Sequence, residues 1–339
     1  MKAVVVENAF GLENLALVDR PEPEPGRGQV LIKVKAASLN YRDLLMVQGF
    51  YNPRQPLPLV PLSDGVGEVV AVGADVSRVK VGDRVAGAFA QGWISGRPSR
   101  VKLLDTTLGG PLDGMLREYA LLSAEGVVRV PDHLTDEEAA TLPCAGLTAW
   151  SALVRHGNVK PGDVVLVLGT GGVSIFALQF AKLLGATVIV TSSNNDKLER
   201  AKALGADHGV NYRENTNWSK AVRELTGGEG VDHVIEVGGV GTLTQSMRAV
   251  RMGGTISLIG VLAGAEMALN LTPLLMQDIR LQGVIVGHRE SFEEMNRAIA
   301  AHGMKPVVDR VFPIEDAKAA FELMGSSGHF GKIGIRVSQ

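Results

Sequence analysis

Residues 164–185 read VVLVLGTGGVSIFALQFAKLLG. Val164–Leu168 is an apolar run suited to a parallel strand buried on both faces. Glycines then break the run. Apolar side chains return at helical spacing until Gly185, which stops the helix. A strand that turns through Gly169, Thr170, Gly171, Gly172 and Val173 straight into a helix opens a βα unit, and such units build parallel sheets. Gly169 allows the tight turn, and Gly171 lets the backbone approach a pyrophosphate. The third small position is Ser174 instead of glycine. A pyrophosphate would rest on the free N–H groups at the helix N-terminus, at the positive end of the helix dipole. Without a ligand, the same residues make only a tight βα turn.

The alternation continues downstream. TVIVT (187–191), HGVNY (208–212), VDHVIEV (231–237), GTISLIG (254–260) and RLQGVIV (280–286) join VVLVL to make six candidate strands, with a polar-faced helix at DKLERAKALG (196–205). The expectation is α/β: a six-stranded, doubly wound parallel sheet of the Rossmann type. Ligands bind at the carboxyl ends of such strands, which marks Val237, Gly238, Ile259, Gly260, Val286 and Gly287; read structurally, these are strand-end turns.

Residues 1–124 have another grammar. VLIKVKAAS (30–38), GEVVAVG (67–73) and DRVAGAF (83–89) are short, Val- and Ala-rich, and cut by Gly, Pro and Asp, which is β structure with tight turns. Residues 90–117 are Gly-rich and weakly patterned, either a functional loop or a disordered insertion. Mixed grammar returns from His288 and closes on GKIGIRV (331–337). The length of 339 residues suits two domains. Lys and Arg number 34 against 36 Asp and Glu, so no basic excess points to nucleic acid. No run of about 18 apolar residues suggests a membrane span. The start, MKAVVVENAF, lacks the apolar core of a signal peptide, and Cys144 is the only cysteine. The expected setting is the cytoplasm.

An NAD site places Asp or Glu about 20 residues past the first glycine, bonded to the ribose 2′-hydroxyl. Here that distance lands in TSSNN (191–195), and the first acid is Asp196. Ser192, Ser193 and Asn194 occupy the tip, with Lys197 beyond; Lys197 is either a phosphate ligand or a solvated helix lysine. Hydroxyls, an amide and a lysine suit a 2′-phosphate that a carboxylate would repel. One hydrogen bond to a charged group is worth about 1.5–3 kcal/mol, enough for roughly tenfold selectivity. The tip predicts NADP(H).

Several motifs, in order along nearly the whole chain, resemble the medium-chain dehydrogenase/reductase superfamily: AASLNYRDLL (36–45), PLSDGVGEVVAVG (61–73), VGDRVAG (81–87), LPCAGLTAWSAL (142–153), KPGDVVLVLGTGGVS (160–174), AKALGADHGVNY (201–212) and HFGKIGIRV (329–337). The resemblance implies a GroES-like, β-rich catalytic domain from both chain ends, 1–124 and 288–339, and a Rossmann domain at 125–287. It implies a homodimer or homotetramer, with the final Rossmann strands at the interface. It also places Thr148 at the nicotinamide end, Tyr212 near the adenosine 2′-phosphate, and Lys332 within reach of the cofactor.

Zinc-dependent members of that superfamily hold the metal through three ligands in these motifs. This chain has Asn40 at the first position, Ser63 at the second and Cys144 at the third, so one thiol remains where about three ligands are needed. The expectation is no zinc, with Cys144 a buried small residue. These departures resemble the zinc-free quinone oxidoreductase branch. That branch implies NADPH-dependent reduction of quinones or α,β-unsaturated carbonyl compounds. Without a Lewis acid the protein must position the substrate and offer hydrogen bonds to a developing oxyanion. NYRD (40–43) provides candidates: Asn40 as an amide donor, Tyr41 as a phenol donor or general acid, and Arg42 as an anion stabiliser. Read structurally, the tetrad is a polar helix N-terminus capped by Asn40 or Asp43. Two rival functions stay open: metal-free alcohol/aldehyde dehydrogenation, and an NADPH-binding sensor or structural protein with little catalysis. The partner expected is a small-molecule carbonyl or quinone.

Overall fold

The computed structural model describes residues 1–338 as two compact units: Met1–Leu147 joined by the chain from Val286 on, and Thr148–Ile285. The boundary lies after Leu147, not after residue 124. Val127–Arg129 pairs antiparallel with Arg84–Gly87, which keeps this stretch in the first unit. Val286 and Gly287 also belong to the first unit.

The first unit is built on a seven-stranded sheet. Its order is Val308–Pro313, Lys332–Arg336, Gln29–Leu39, Asp64–Val72, Arg84–Gly87 and Val127–Arg129, with Tyr119–Ser123 also paired to Gln29–Leu39. Only the first pair is parallel. Gln29–Leu39 is central, and the apolar face that buries Val30, Ile32, Val34 and Leu39 packs with Phe321, Ile333 and Ile335. The register sets Ile333 opposite Leu39 and Asp64 opposite Ser38. Asn40, Lys332 and Ser63 therefore meet at one end of the sheet, although they are far apart in the chain.

Residues 90–117 are not a disordered insertion. Bridges join Ala90 to Thr107 and Leu108 to Leu112, a short helix forms at Arg100–Leu103, and Trp93, Leu108 and Leu116 are buried. The loop folds because these apolar side chains remove it from water.

The second unit has six parallel strands in the order His208–Asn211, Thr187–Ser192, Val164–Leu168, Val231–Glu236, Val250–Leu258 and Arg280–Gly283. That is the doubly wound order, with its switch point between the Val164–Leu168 and Val231–Glu236 strands. The sixth strand ends at Gly283, short of the expected Val286. Val286 has φ of 36°, which breaks an extended path, so Val286 and Gly287 do not end a Rossmann strand. The helix Gly172–Leu183 follows the glycine turn, and Gly185, at φ 80°, closes it as expected. Phe176 and Phe180 stack on its buried face, and Trp150 meets Phe180 edge-on at 5.4 Å. Among the described residues no helix is long and apolar enough to cross a membrane.

Candidate active site

Buried polar side chains gather where the strands of the first unit end. Asn40 opens the helix Tyr41–Val47, and its backbone N–H donates to the Asp43 carboxylate at 2.9 Å. Its Oδ1 accepts from Lys332 Nζ at 2.6 Å, and the same ammonium donates to the Leu39 carbonyl. Asn40 Nδ2 lies 3.4 Å from Ser63 Oγ. Ser63 Oγ donates to Asp64 Oδ1 at 2.7 Å, and the Cys144 N–H donates to Asp64 Oδ2 at 3.2 Å. Cys144 rides on a π-helical turn, Leu142–Gly146. Burial pushes the Asp64 carboxyl up to about 6, Asp43 adds to the rise, and Lys332 opposes it. Burial lowers the Lys332 ammonium, which Asp64 counteracts. Burial also raises the Cys144 thiol well above its ordinary value, with Asp64 adding to it, so the sulfur keeps its proton.

Tyr41 is 38% exposed at the start of its helix, whereas Arg42 is buried. Arg42 Nη1 donates to Asp43 Oδ1 at 3.0 Å, to the Leu108 carbonyl at 3.2 Å and to the Gly109 carbonyl at 3.0 Å. Nη2 reaches the Gly110 carbonyl at 3.4 Å, and the guanidinium lies 4.8 Å from the Tyr51 ring centre. Burial disfavours its charge, but Asp43 and Tyr51 outweigh burial and the pKa rises. Sequence reading offered Arg42 as an anion stabiliser. The fold instead commits this guanidinium to Asp43 and to the carbonyls of the folded loop.

In the second unit Gly169 takes φ of 72° and donates its N–H to the Thr191 carbonyl at 2.9 Å. Thr170 is buried beside it. Gly171 caps the helix that Gly172 and Val173 begin, and a Cβ on Gly171 would meet no atom within 4 Å. The backbone is thus bare where a pyrophosphate would approach. Ser174 Oγ donates to the Leu168 carbonyl at 2.7 Å, so this hydroxyl ties helix to strand where the motif has glycine.

At the next strand end Ser192 is buried and accepts from the Asn194 N–H at 3.2 Å. Asn194 Oδ1 accepts from the Lys197 N–H at 3.0 Å as a helix cap. Ser193 and Asn194 line an open cavity of about 380 Å³ with Asn195, Asp196, Asn211, Arg213 and Glu214. Tyr212 is 41% exposed and donates its N–H to the Ser192 carbonyl at 3.0 Å. Arg213 was missed, although it directly follows Tyr212 in the motif.

Glu236 was missed as well. Its buried carboxylate accepts from the N–H groups of Gly238 at 2.8 Å and Gly239 at 3.1 Å, and from the Thr242 and Ser246 hydroxyls. Its carbonyl accepts from Ile259 and Gly260. Glu236 therefore holds three expected residues, Gly238, Ile259 and Gly260, at the carboxyl ends of adjacent strands. In the structure it alone ends one of the six Rossmann strands with an acid, whereas the sequence reading ran that strand on to Val237. Thr148 is buried at the start of this unit.

Comparison with known proteins matches residues 26–132 to the alcohol dehydrogenase GroES-like domain and residues 172–301 to the zinc-binding dehydrogenase family. A zinc-type alcohol dehydrogenase-like protein of Schizosaccharomyces pombe is 43% identical, over 99% of both chains. The chain is a medium-chain dehydrogenase/reductase. An NAD-dependent alcohol dehydrogenase structure aligns over 100% of both chains with TM-score 0.91 and 37% identity. A mycobacterial structure complexed with NADPH covers 99% of both chains with TM-score 0.83 and 30% identity. Another, of a mycobacterial quinone oxidoreductase, has the same coverage and identity with TM-score 0.82. This medium-chain dehydrogenase/reductase is a nicotinamide-dependent oxidoreductase, and the open Gly171 turn at a helix N-terminus fits the pyrophosphate of that cofactor.

The donor set of the first unit does not fit the zinc of the family's metal-dependent members. A carboxamide, a hydroxyl and a single thiol stand at the three ligand positions, and the carboxamide and hydroxyl oxygens are already hydrogen-bonded. Among the described residues no three His, Cys, Asp or Glu side chains form a metal-holding group.

Proposed function

We propose that this medium-chain dehydrogenase/reductase is a zinc-independent, NADPH-dependent reductase of quinones and α,β-unsaturated carbonyl compounds in the cytoplasm. One observation carries the reading: Asn40 and Ser63, at two of the positions that present metal ligands in zinc-dependent relatives, are instead links of a hydrogen-bonded chain, Lys332–Asn40–Ser63–Asp64. A site without a Lewis acid demands an acceptor that is already activated, and conjugation delocalises the negative charge that reduction creates. Bound at the glycine turn, NADPH supplies the hydride. Asn40 Nδ2 is the donor for the substrate oxygen as it gains charge. Its present bond to Ser63 is long at 3.4 Å, and the Asp64 carboxyl also accepts from the Asn40 side chain. The half-exposed phenol of Tyr41 is the candidate proton donor to the reduced product. Arg42 keeps the 108–110 loop in place.

Preference for NADPH rests on the strand tip. Ser192 and Ser193 stand where an NAD enzyme has an acid, and Arg213 lines the adjoining cavity. Glu214 lines it too, with one carboxylate oxygen taken by the amides of Asn195 and Asn211. Lys197 follows this tip in the chain, and Tyr212 reaches it from the next strand through its N–H to the Ser192 carbonyl.

The test is a titration of metal-stripped protein with NADPH and NADH, followed by cofactor oxidation in the presence of a small quinone and a small enone. Tighter NADPH binding and acceptor-dependent oxidation that chelator leaves unchanged are expected. Activity that returns only with zinc, or tighter binding of NADH, overturns the corresponding half of the reading.

The proposal extends to assembly. Arg280–Gly283 is an edge strand with open hydrogen-bonding groups, and Leu271, Leu275, Met276 and Ile285 leave more than half of their surface in water. A second copy paired along this edge would cover both, giving a homodimer or a homotetramer built from it.

A further inference from the structure

Lys332 is 2% exposed. An ammonium taken out of water costs several kcal/mol unless its charge and donors are met. Here they are met by a particular set of groups. The antiparallel register that faces Ile333 with Leu39 carries Lys332 alongside Asn40. Its Nζ then donates to the Leu39 carbonyl and to Asn40 Oδ1, the latter at 2.6 Å. The buried Asp64 carboxylate supplies the opposing charge.

An ammonium has donors only, so its partner atom on a carboxamide must be the oxygen. Lys332 thus holds the Asn40 amide with Oδ1 toward Nζ, which leaves Nδ2 to face Ser63 and the Asp64 carboxyl. Ser63 in turn gives its proton to Asp64 at 2.7 Å and keeps its oxygen lone pairs for Asn40. All three bonds run in one direction, from cation to carboxylate. Such a chain polarises the amide, drawing electron density toward oxygen and making the N–H a better donor.

We propose that Lys332 is the positioning residue of the reductase site, fixing the orientation of the Asn40 carboxamide and strengthening its N–H as donor to the substrate oxygen. This rests on the reading of function above. It departs from the family-based expectation for Lys332, which made it a cofactor contact. A lysine that binds cofactor acts on affinity for NADPH; one that acts through Asn40 changes turnover and leaves that affinity alone.

The experiment is a double-mutant cycle on the full-length protein with NADPH and a small quinone. K332M, N40A and the double variant are compared for kcat, KM and NADPH affinity, with thermal melting as a check on folding. Loss of an oxyanion donor typically costs about 100-fold or more in kcat. N40A should fall by about that factor and K332M by at least about tenfold. The double variant should be no worse than N40A within about threefold, and NADPH Kd should stay within about twofold of wild type throughout. K332Q keeps a donor for Asn40 Oδ1 without the charge. It should recover part of the kcat lost in K332M, and it carries the same comparison if K332M fails to fold. Losses that multiply in the double variant overturn the assignment, as does weaker NADPH binding with kcat retained. Wild-type turnover with K332M unimpaired sinks the assignment alone. Failure of the wild type to reduce any acceptor sinks the functional reading and this assignment together.

Discussion

Arg42 and Asp43 form a buried ion pair at 3.0 Å, and the same guanidinium holds three loop carbonyls. Removing one partner of such a pair leaves the other charge stranded, at a cost of about 3–5 kcal/mol. R42M is therefore expected to lower unfolding free energy by that amount in denaturant titration, and an unchanged midpoint would show that the clamp is idle. Asp64 offers a pH test. Its pKa is about 6 in the folded protein against 3.8 for an ordinary aspartate, so the folded form binds this proton more tightly. Its contribution to stability therefore falls as pH rises from about 4 through about 6, and is constant above. At about 1.4 kcal/mol per pKa unit, the wild type should lose roughly 3 kcal/mol relative to D64N across that interval. Denaturant unfolding of both proteins from about pH 4 to about pH 7.5 checks this, and parallel stability curves would contradict it.

At the scale of the element, the strand–turn–helix unit separates two uses of glycine. Gly169 needs its glycine for the backbone, because φ of 72° strains any residue with a side chain. Gly171 has φ of −78° and ψ of −174°, open to any residue, and its Cβ position is clear of protein atoms. Folding therefore tolerates a side chain at Gly171 where close approach of a pyrophosphate does not. G171V is expected to melt within about 2 °C of wild type, a change below roughly 1.5 kcal/mol. Its NADPH Kd should rise by at least about tenfold, a loss near 1.4 kcal/mol. Fluorescence titration measures it, and unchanged affinity would move the cofactor away from this turn. The folded 90–117 segment is another element whose order comes from packing: buried Trp93, Leu108 and Leu116 hold a stretch that composition alone presents as a loose loop.

For the whole molecule, the exposed edge at Arg280–Gly283 predicts association. Leu281 is 36% exposed on that edge. L281K places a charge there, as natural edge strands do to prevent pairing. Light scattering should give a dimer or tetramer for the wild type and a smaller species for L281K; a monomeric wild type overturns the assembly.

Sequence alone determined the opening βα unit of the Rossmann half. The strand, turn and helix of residues 164–185 are contiguous, so period, glycine and cap signals lie within one short window. The motif order determined the family for the same reason, and the comparisons agree. Tertiary structure alone decided the rest. Lys332 and Asn40 are 292 positions apart, and only strand register brings the ammonium to the amide oxygen. Arg42 was offered as an anion stabiliser, and its partners in the loop are backbone carbonyls, which no side-chain letter reveals. The unit boundary moved to Leu147 because the pairing of Val127–Arg129 with Arg84–Gly87 is non-local. Local signals encode conformation; which distant groups share a buried site depends on how the strands align, and that is a property of the folded chain.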